Sequence, residues 1–179
     1  MLIRHANPDT DAAACAAVYR PFVEGSPVSF EYSAPSDIEF AARIAKLSST
    51  HAFLVAEDDG QVVGFAYGSP ARERAAYRWG AEVSVYIDQA HQRRGVGRAL
   101  YGTLFDLLSR QGFTTLLAGI ALPNDPSVGM HEAVGFELVG VYRRIGWKDG
   151  AWHDVGWWQL QLTDGAPATD PPGPPVRLD

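Results

Sequence analysis

Residues 91–98 read HQRRGVGR and hold three arginines and two glycines within eight positions. An apolar, β-rich run comes before them, and a helical pattern begins at Val96. The first turn of a helix carries free N–H groups and a partial positive charge that suit an anion, and glycines let the backbone approach it closely. The stretch therefore predicts a phosphate or pyrophosphate site. A solvated basic helix start, in which the glycines only serve a turn, is the alternative.

Two familiar phosphate-binding loops do not fit this spacing. A Walker loop needs a lysine followed by serine or threonine after its last glycine, whereas Arg98 and Ala99 follow Gly97. A dinucleotide-binding fingerprint needs three spaced glycines, and only Gly95 and Gly97 are present. The spacing thus favours a different kind of pyrophosphate loop.

Local signals predict the elements that must position this loop. The sequence DDG between two apolar runs predicts a hairpin, and Ser36 with Glu39 predicts a capping box. Thr10 is the predicted N-cap of a helix that Pro21 ends or kinks. The resulting order, β-α-α-β-β-β-α-β-α-β-β, predicts an α/β domain built on a mostly antiparallel sheet with helices packed on it.

Composition excludes several classes of protein. The chain has 179 residues, which suffice for a core without disulfides, and its single cysteine, Cys15, indicates a reducing compartment such as the cytoplasm. A net charge of −6 argues against a nucleic-acid partner, and the chain shows neither a secretion signal nor an apolar run of membrane-spanning length. His153 and Asp154 do not predict a metal site, because adjacent strand residues point to opposite faces.

One change in composition divides the chain. Residues 1–162 have the pattern of one folded unit, without internal repeats or a long linker. Residues 163–179 read TDGAPATDPPGPPVRLD, which is rich in proline and poor in core-forming residues. We therefore expect one domain followed by a mobile tail.

Several motifs resemble one enzyme family. Residues 92–97, QRRGVG, match the Q/R-x-x-G-x-G/A loop with which GCN5-related N-acetyltransferases (GNATs) hold the pyrophosphate of acetyl-CoA. The stretches AYRWGAEVSVYI, HQRRGVGRALY, LPNDPSVGMHEAVGF and WHDVGWWQL follow, in order, the pattern of the phosphinothricin N-acetyltransferases, and the resemblance covers residues 1–162. It implies the GNAT α/β fold, with a mixed, mostly antiparallel sheet that is splayed between the strands flanking the loop-bearing helix and has helices on both faces.

The resemblance also implies that acetyl-CoA wedges into this splay, and we expect no metal cofactor beside it. Its pantetheine arm would pair with the freed strand edge, and the Val85 N–H would donate to the oxyanion. Asn124 would bind the pantetheine, although an asparagine before DPS is equally an ordinary cap residue. The implied cofactor-binding residues are Val85, Tyr86, Ile87, Arg93, Arg94, Gly95, Val96, Gly97, Arg98, Asn124 and Ser127.

Two residues are implied as catalytic. Glu82 matches the family's catalytic glutamate, which accepts the amine proton directly or through a water, and a surface carboxylate at a strand end is the alternative. His131 stands where the phosphinothricin enzymes carry a histidine with a role in proton transfer. A purely structural histidine is the alternative there.

For the acceptor, Arg74 and Tyr77 align with a family arginine and tyrosine, and Phe30 with a position in the loop over the pocket. Arg72 is a further candidate, since an arginine suits a carboxylate or phosphinate. A solvated loop face is the alternative for these arginines. The stretches EGSPVSFEYSA and YRRIGWKDGAW depart from the family pattern, so the acceptor's identity stays open.

The leading hypothesis is acetylation of the amino group of a small amino acid, such as phosphinothricin or methionine sulfoximine, by direct attack on the thioester. The alternatives are another small amine as acceptor, or a non-catalytic sensor of acyl-CoA. The family's usual homodimer is also implied. The tryptophans that would serve core packing and that interface are Trp147, Trp152, Trp157 and Trp158.

Overall fold

The helices and strands occur in the predicted order in a computed structural model, which describes residues 1–163 and 173–178. Short 3₁₀ turns at Ala75–Tyr77 and Gln89–His91 precede β4 and α3. The elements are β1 Leu2–His5, α1 Pro8–Glu24, α2 Asp37–Ser48, β2 Phe53–Asp58, β3 Gln61–Pro70, β4 Gly80–Ile87, α3 Val96–Gln111, β5 Thr115–Leu122, α4 Asp125–Ala133, β6 Glu137–Lys148 and β7 Ala151–Gln161.

Seven strands form one sheet in the order β1-β2-β3-β4-β5-β7-β6. All neighbours are antiparallel except β4 and β5, which are parallel and pair at only three positions, from Gly80–Thr115 to Glu82–Leu117. Beyond Glu82 the two strands diverge, whereas β4 stays paired with β3 as far as Ile87. The predicted mixed, mostly antiparallel and splayed sheet is therefore confirmed.

Helices cover both faces of the sheet, because side chains alternate between the faces along each strand. On β2, Phe53 and Val55 pack with α1 and α2, whereas Leu54 and Ala56 pack with α3. Buried residues of α3 such as Leu104 each contribute about 1.5–3 kcal/mol by leaving water. The two cores hold β4 between them, so the open part of the sheet has a rigid frame.

The first helix differs from its prediction at both ends. Its N-cap is Asn7, whose side chain accepts from the N–H of Asp9 at 2.9 Å, and Pro8 occupies the first turn. Thr10 therefore lies inside α1. Pro21 does not end α1, which continues to Glu24, because a proline removes only one hydrogen bond and burial of the following Val23 holds the last turn in place. The capping box predicted for α2 is confirmed.

The predicted mobile tail, residues 163–179, lies mostly outside the described residues, which omit 164–172 and 179. The described part, 173–178, lies against the domain. The indole N–H of Trp79 donates to the carbonyl of Gly173 at 3.1 Å, and the N–H of Val176 donates to the carbonyl of Gln111 at 2.8 Å. In the described ranges, no helix combines the length and the apolar character needed to cross a membrane.

Candidate active site

The open edge of β4 presents backbone groups to the gap between β4 and β5. The N–H of Asp88 donates to the carbonyl of Val63 on the β3 side at 2.9 Å. Since backbone directions alternate along a strand, the N–H groups of Val85 and Ile87, which lie beyond the last pair with β5, face away from β3, toward the gap. An edge of this kind can pair with an extended ligand.

A groove of about 470 Å³ runs along this edge to the start of α3, and we call it the splay groove. Every predicted cofactor-binding residue except Arg94 lines it. Phe22, Val28 and Met130 give it apolar walls, which suit an aliphatic arm. The structure thus gathers residues that are far apart in the sequence into one long site with a polar edge and apolar walls.

The arginine-glycine loop lies at the α3 end of the splay groove. Gly95 caps α3 with φ 82°, a left-handed conformation that glycine adopts without a steric penalty, and Arg93 also has a positive φ of 61°. Arg93, Arg94 and Arg98 are exposed, and none of them forms an ion pair with another residue in the described ranges. The free N–H groups of the helix start and these cations together make an anion site.

A second cavity, of about 580 Å³, lies at the start of β4 and is called the Glu82 cavity here. Burial raises the pKa of the Glu82 carboxyl, and the positive charge of Arg72 opposes part of that rise. Phe30, a predicted acceptor residue, lines the same cavity, and so do Tyr67 and Trp157. A carboxyl group with a raised pKa beside a cavity is suited to proton transfer.

A small space of about 60 Å³ joins the splay groove to the Glu82 cavity, and we call it the bridging cavity. Val28 and Tyr86 line all three spaces, and Ser84 lines both the bridging and the Glu82 cavities. His131 also faces the bridging cavity. A ligand lying along β4 would therefore reach the Glu82 cavity with its end.

His131 is buried, with 4% of its surface exposed, and both of its ring nitrogens have partners. Nδ1 lies 2.8 Å from the carbonyl of Ser127, and Nε2 lies 2.9 Å from the hydroxyl of Tyr101. Burial lowers the pKa of His131, and the hydrogen bond to Ser127 opposes part of that change. The ring is therefore neutral, with Nδ1–H donating to Ser127 and Nε2 accepting from Tyr101.

Comparison with known proteins assigns this arrangement to a family. Residues 3–157 match the model described as "Acetyltransferase (GNAT) domain". The chain belongs to the GNAT acetyltransferases. It therefore uses acetyl-CoA, and the resemblance seen in the sequence is confirmed.

Named relatives and a solved structure agree with this assignment. The chain is 41% identical to the phosphinothricin N-acetyltransferase of Streptomyces viridochromogenes over 88% of this chain and 86% of that protein. It is 32% identical to the L-methionine sulfoximine/L-methionine sulfone acetyltransferase of Salmonella typhimurium over 93% and 97% of the two chains. A GNAT phosphinothricin acetyltransferase from Sinorhizobium meliloti, solved with acetyl-CoA, superposes with a TM-score of 0.89 at 33% identity, covering 96% of this chain and 92% of that one.

The predicted acceptor residues of this acetyltransferase fall into two groups. Arg74 and Tyr77 line a separate cavity of about 410 Å³, which we call the arginine cavity. Arg72 lines that cavity too, but its guanidinium lies over the ring of Trp157, 5.3 Å from the centroid, and Trp157 lines the Glu82 cavity. The structure therefore brings Arg72 near Glu82 but leaves Arg74 and Tyr77 in a different cavity.

Asn124 has the cap function that was its alternative interpretation. Its side-chain oxygen accepts from the N–H of Ser127 at 3.2 Å and so begins α4. The same residue lines the splay groove and the bridging cavity. Capping uses only the oxygen, so the cap and a contact from the amide NH₂ group to a ligand are compatible.

Sequence interpretation missed Tyr101, the partner of His131. The helical pattern of α3 contained a signal for it, because Tyr101 follows Gly97 by four residues and so shares the face that carries the loop glycine. It also missed Glu31 and Tyr19, which line the Glu82 cavity and are joined by a 2.8 Å hydrogen bond. No periodic pattern marks Glu31, since it lies in the irregular link between α1 and α2.

Proposed function

We propose that this GNAT protein transfers the acetyl group of acetyl-CoA to the amino group of a small amino acid such as phosphinothricin or methionine sulfoximine. One observation carries the proposal: the splay groove ends, through the bridging cavity, at a half-buried glutamate with a raised pKa. The names of the two curated relatives support this class of acceptor.

Acetyl-CoA fits the residues of the splay groove. The open β4 edge would hold its pantetheine arm through the backbone of Val85 and Ile87, and the start of α3 would bind its pyrophosphate. Arg93 and Arg98 line the groove and add positive charge there, whereas Arg94 contributes from outside the groove. When bound, acetyl-CoA supplies an activated acetyl group with a thiolate leaving group.

Glu82 is the proposed general base. An amino acid is mostly protonated at its amine near neutral pH, so a proton must leave before or during attack. The raised pKa of Glu82 makes the carboxylate a stronger base than an exposed glutamate, while Arg72 limits that rise enough to keep the ionised form accessible. The Val85 N–H faces the gap and is the proposed donor to the carbonyl oxygen of the thioester.

His131 and Tyr101, at the wall of the bridging cavity, form the pair proposed to transfer a proton to the leaving thiolate. Both residues line that cavity. The Tyr101 hydroxyl donates to His131 Nε2 and can turn toward a developing thiolate, while the imidazole accepts or returns a proton. Burial raises the pKa of Tyr101, so its hydroxyl stays protonated and acts as a donor.

Arg72 is the proposed partner of the acceptor's carboxylate. It combines a guanidinium next to the Glu82 cavity with a stacking contact on Trp157 that fixes its plane. Phe30 would contact the acceptor's side chain from the opposite wall. Arg74 and Tyr77 remain proposed acceptor residues, although they line the arginine cavity. A movement of their loop or a second subunit would be needed to bring them to an acceptor in the Glu82 cavity.

We also propose a homodimer and a cytoplasmic location, the latter because acetyl-CoA is an intracellular metabolite and Cys15 is unpaired. β6 is an edge strand with a row of exposed apolar side chains, which is typical of an interface. Sedimentation should give twice the 19.4 kDa chain mass, and Val139→Asp should give a monomer. The exposed apolar residues of this hairpin are Leu138, Val139, Val141, Tyr142, Ile145, Trp147 and Trp152.

Release of CoA, followed with a thiol reagent, tests the proposed activity. The acceptors are L-phosphinothricin, L-methionine sulfoximine, ordinary amino acids and polyamines. We expect turnover with one or both of the first two at low concentration. Turnover only with polyamines would replace the acceptor class, and acetyl-CoA binding without turnover of any amine would indicate a sensor.

A further inference from the structure

Lys148 is a buried lysine at the tip of the β6–β7 hairpin, with only 3% of its surface exposed. Its ammonium group donates to three backbone carbonyls, those of Val23, Ser26 and Ser29, the last two at 3.0 and 2.6 Å. These carbonyls belong to the end of α1 and the link after it. One side chain therefore ties the end of α1 to the irregular turn that follows it, which lies outside the helices and strands.

The environment of this ammonium group is unusual. No carboxylate pairs with it among residues 1–163 and 173–178. Burying a charge without a counter-ion is costly, and three charge-assisted hydrogen bonds to carbonyls near a helix C-terminus offset that cost. The chain has only one other lysine, Lys46, which is exposed on α2. Burial is thus specific to Lys148 and fixes its three partners in one conformation.

Two more contacts join the same hairpin tip to the same link. The Tyr32 hydroxyl donates to the carbonyl of Trp147 at 2.7 Å. The ring of Phe30 packs against Gly146, where a Cβ atom would overlap the ring itself. We call residues 25–32 the roof segment, because Phe30 and its neighbours in it line the Glu82 cavity. All three contacts therefore hold the wall of that cavity, and Val28 extends the wall to the splay groove.

We propose that Lys148 and Gly146 are positioning residues that hold the roof segment over the acceptor, and that the hairpin tip thereby sets acceptor recognition. The inference rests on the proposed function, since it assigns the Glu82 cavity to the acceptor. Lys148 fixes the backbone of the roof segment, and Gly146 fixes the position of the Phe30 ring. Neither residue lines the Glu82 cavity, so neither touches the acceptor itself.

The first test compares Lys148→Met with Lys46→Met, which removes the only other lysine. If the roof segment is no longer held in place, a smaller fraction of the protein is in the conformation that binds the acceptor. We therefore expect the KM for the acceptor to rise about tenfold or more in Lys148→Met. The KM for acetyl-CoA should stay near the wild-type value, and Lys46→Met should behave as wild type. Amide exchange measured by mass spectrometry should accelerate in residues 24–32 of Lys148→Met.

The second test does not depend on the folding of Lys148→Met. Gly146→Ala should displace the Phe30 ring and raise the acceptor KM, with a smaller effect on kcat and none on amide exchange outside the roof segment and hairpin tip. In a Phe30→Ala background, Gly146→Ala should have no further effect, because the clash is gone. Additive effects of the two changes would overturn the proposed contact.

The outcomes separate this inference from the proposed function. A wild-type protein that acetylates no amine rejects the function. Wild-type turnover with unchanged acceptor KM in Gly146→Ala and in folded Lys148→Met rejects the positioning role alone. An equal rise in the KM values for acceptor and acetyl-CoA also rejects it, because the roof would then serve both ligands equally.

Discussion

The hydroxyl of Tyr101 lies 2.9 Å from Nε2 of His131, and both side chains are buried at the wall of the bridging cavity. The second imidazole nitrogen is held by the carbonyl of Ser127 at 2.8 Å. A histidine fixed at both nitrogens has one tautomer and one ring orientation. The pair consequently acts as a unit, with the tyrosine hydroxyl as the group that can turn toward a ligand.

Removing the hydroxyl should weaken proton transfer without emptying the core. We expect Tyr101→Phe to lower kcat by about 10²-fold, at the lower end of what general acid–base groups contribute, with little change in acetyl-CoA affinity. Single-turnover kinetics and calorimetric binding of acetyl-CoA measure the two quantities. His5→Gln, an exposed histidine on β1, is the control, and an unaltered kcat in Tyr101→Phe would remove the Tyr101 hydroxyl from the proton route.

Glu82→Gln should lower kcat/KM by about 10²–10⁴-fold while acetyl-CoA binding persists. The wild-type pH profile carries a second signature. Because the base must be deprotonated and burial raises the pKa of Glu82 above the usual 4.5, activity should fall on the acid side at a pH above the ordinary carboxyl range. In Glu82→Gln this acid limb should disappear. Glu137 is exposed on β6, and Glu137→Gln should keep both the wild-type kcat/KM and the fall in activity on the acid side.

Arg72 and Arg74 should differ in their effect on the acceptor. Because only Arg72 lies beside the Glu82 cavity, Arg72→Gln should raise the KM for amino acids by about tenfold or more, as expected for loss of a charge-assisted hydrogen bond. The effect should vanish for acceptors whose carboxyl group is amidated. Arg74→Gln is the matched comparison, and a larger effect there would show that the arginine cavity reaches the acceptor during turnover.

The pair of Arg4 and Asp11 predicts how stability depends on pH. Asp11 is buried and accepts from Arg4 at 2.6 and 2.8 Å and from the N–H of Asn7 at 2.7 Å. The hydrogen bonds from Arg4 lower the pKa of Asp11 below its ordinary 3.8. A lowered pKa stabilises the fold at pH values above the unfolded pKa, and this stabilisation is lost as the pH falls through the folded pKa.

Asp11→Asn should therefore lower the free energy of unfolding at pH 7 by about 1–3 kcal/mol, because it weakens the charge-assisted hydrogen bonds from Arg4, a half-buried side chain that keeps Glu57 as its second partner. The difference in the free energy of unfolding between Asp11→Asn and the wild type should become smaller below pH 4. Urea unfolding at pH 7 and at pH 3.5 measures both, with Asp9→Asn, an exposed residue of the same turn, as control. A gap that does not change with pH would show that packing rather than charge accounts for the loss.

Local signals in the sequence were enough for the order of the elements and for most of their ends. The capping box at Ser36 and the left-handed Gly112 after α3 act within a few residues, so they can be recognised without knowledge of the fold. The misplaced start of α1 shows the limit of such signals. Asn7 and Thr10 are both good caps, and only the following Pro8 and the hydrogen bonds distinguish them.

The composition of the site depends on contacts between distant segments, which no local pattern specifies. Tyr101 and His131 are 30 positions apart, and their contact depends on how α3 and α4 pack. Arg72 and Arg74 lie in an irregular link, where no periodicity tells which side chain turns toward the Glu82 cavity. Lys148, beside Asp149 and Gly150, has the sequence of an exposed turn, and only the fold explains its burial.

Among the described residues, the ladder of three residue pairs between β4 and β5 is the only strand pairing that joins β1–β4 to β5–β7. A ligand lying in the splay would add contacts to both halves at the place where their own pairing stops. Binding to the native chain alone adds about 2.7 kcal/mol of stability when the free ligand reaches a hundred times its dissociation constant. The acetyl donor would then act as part of the scaffold, and the lifetime of the folded enzyme in a cell would follow the supply of its own substrate.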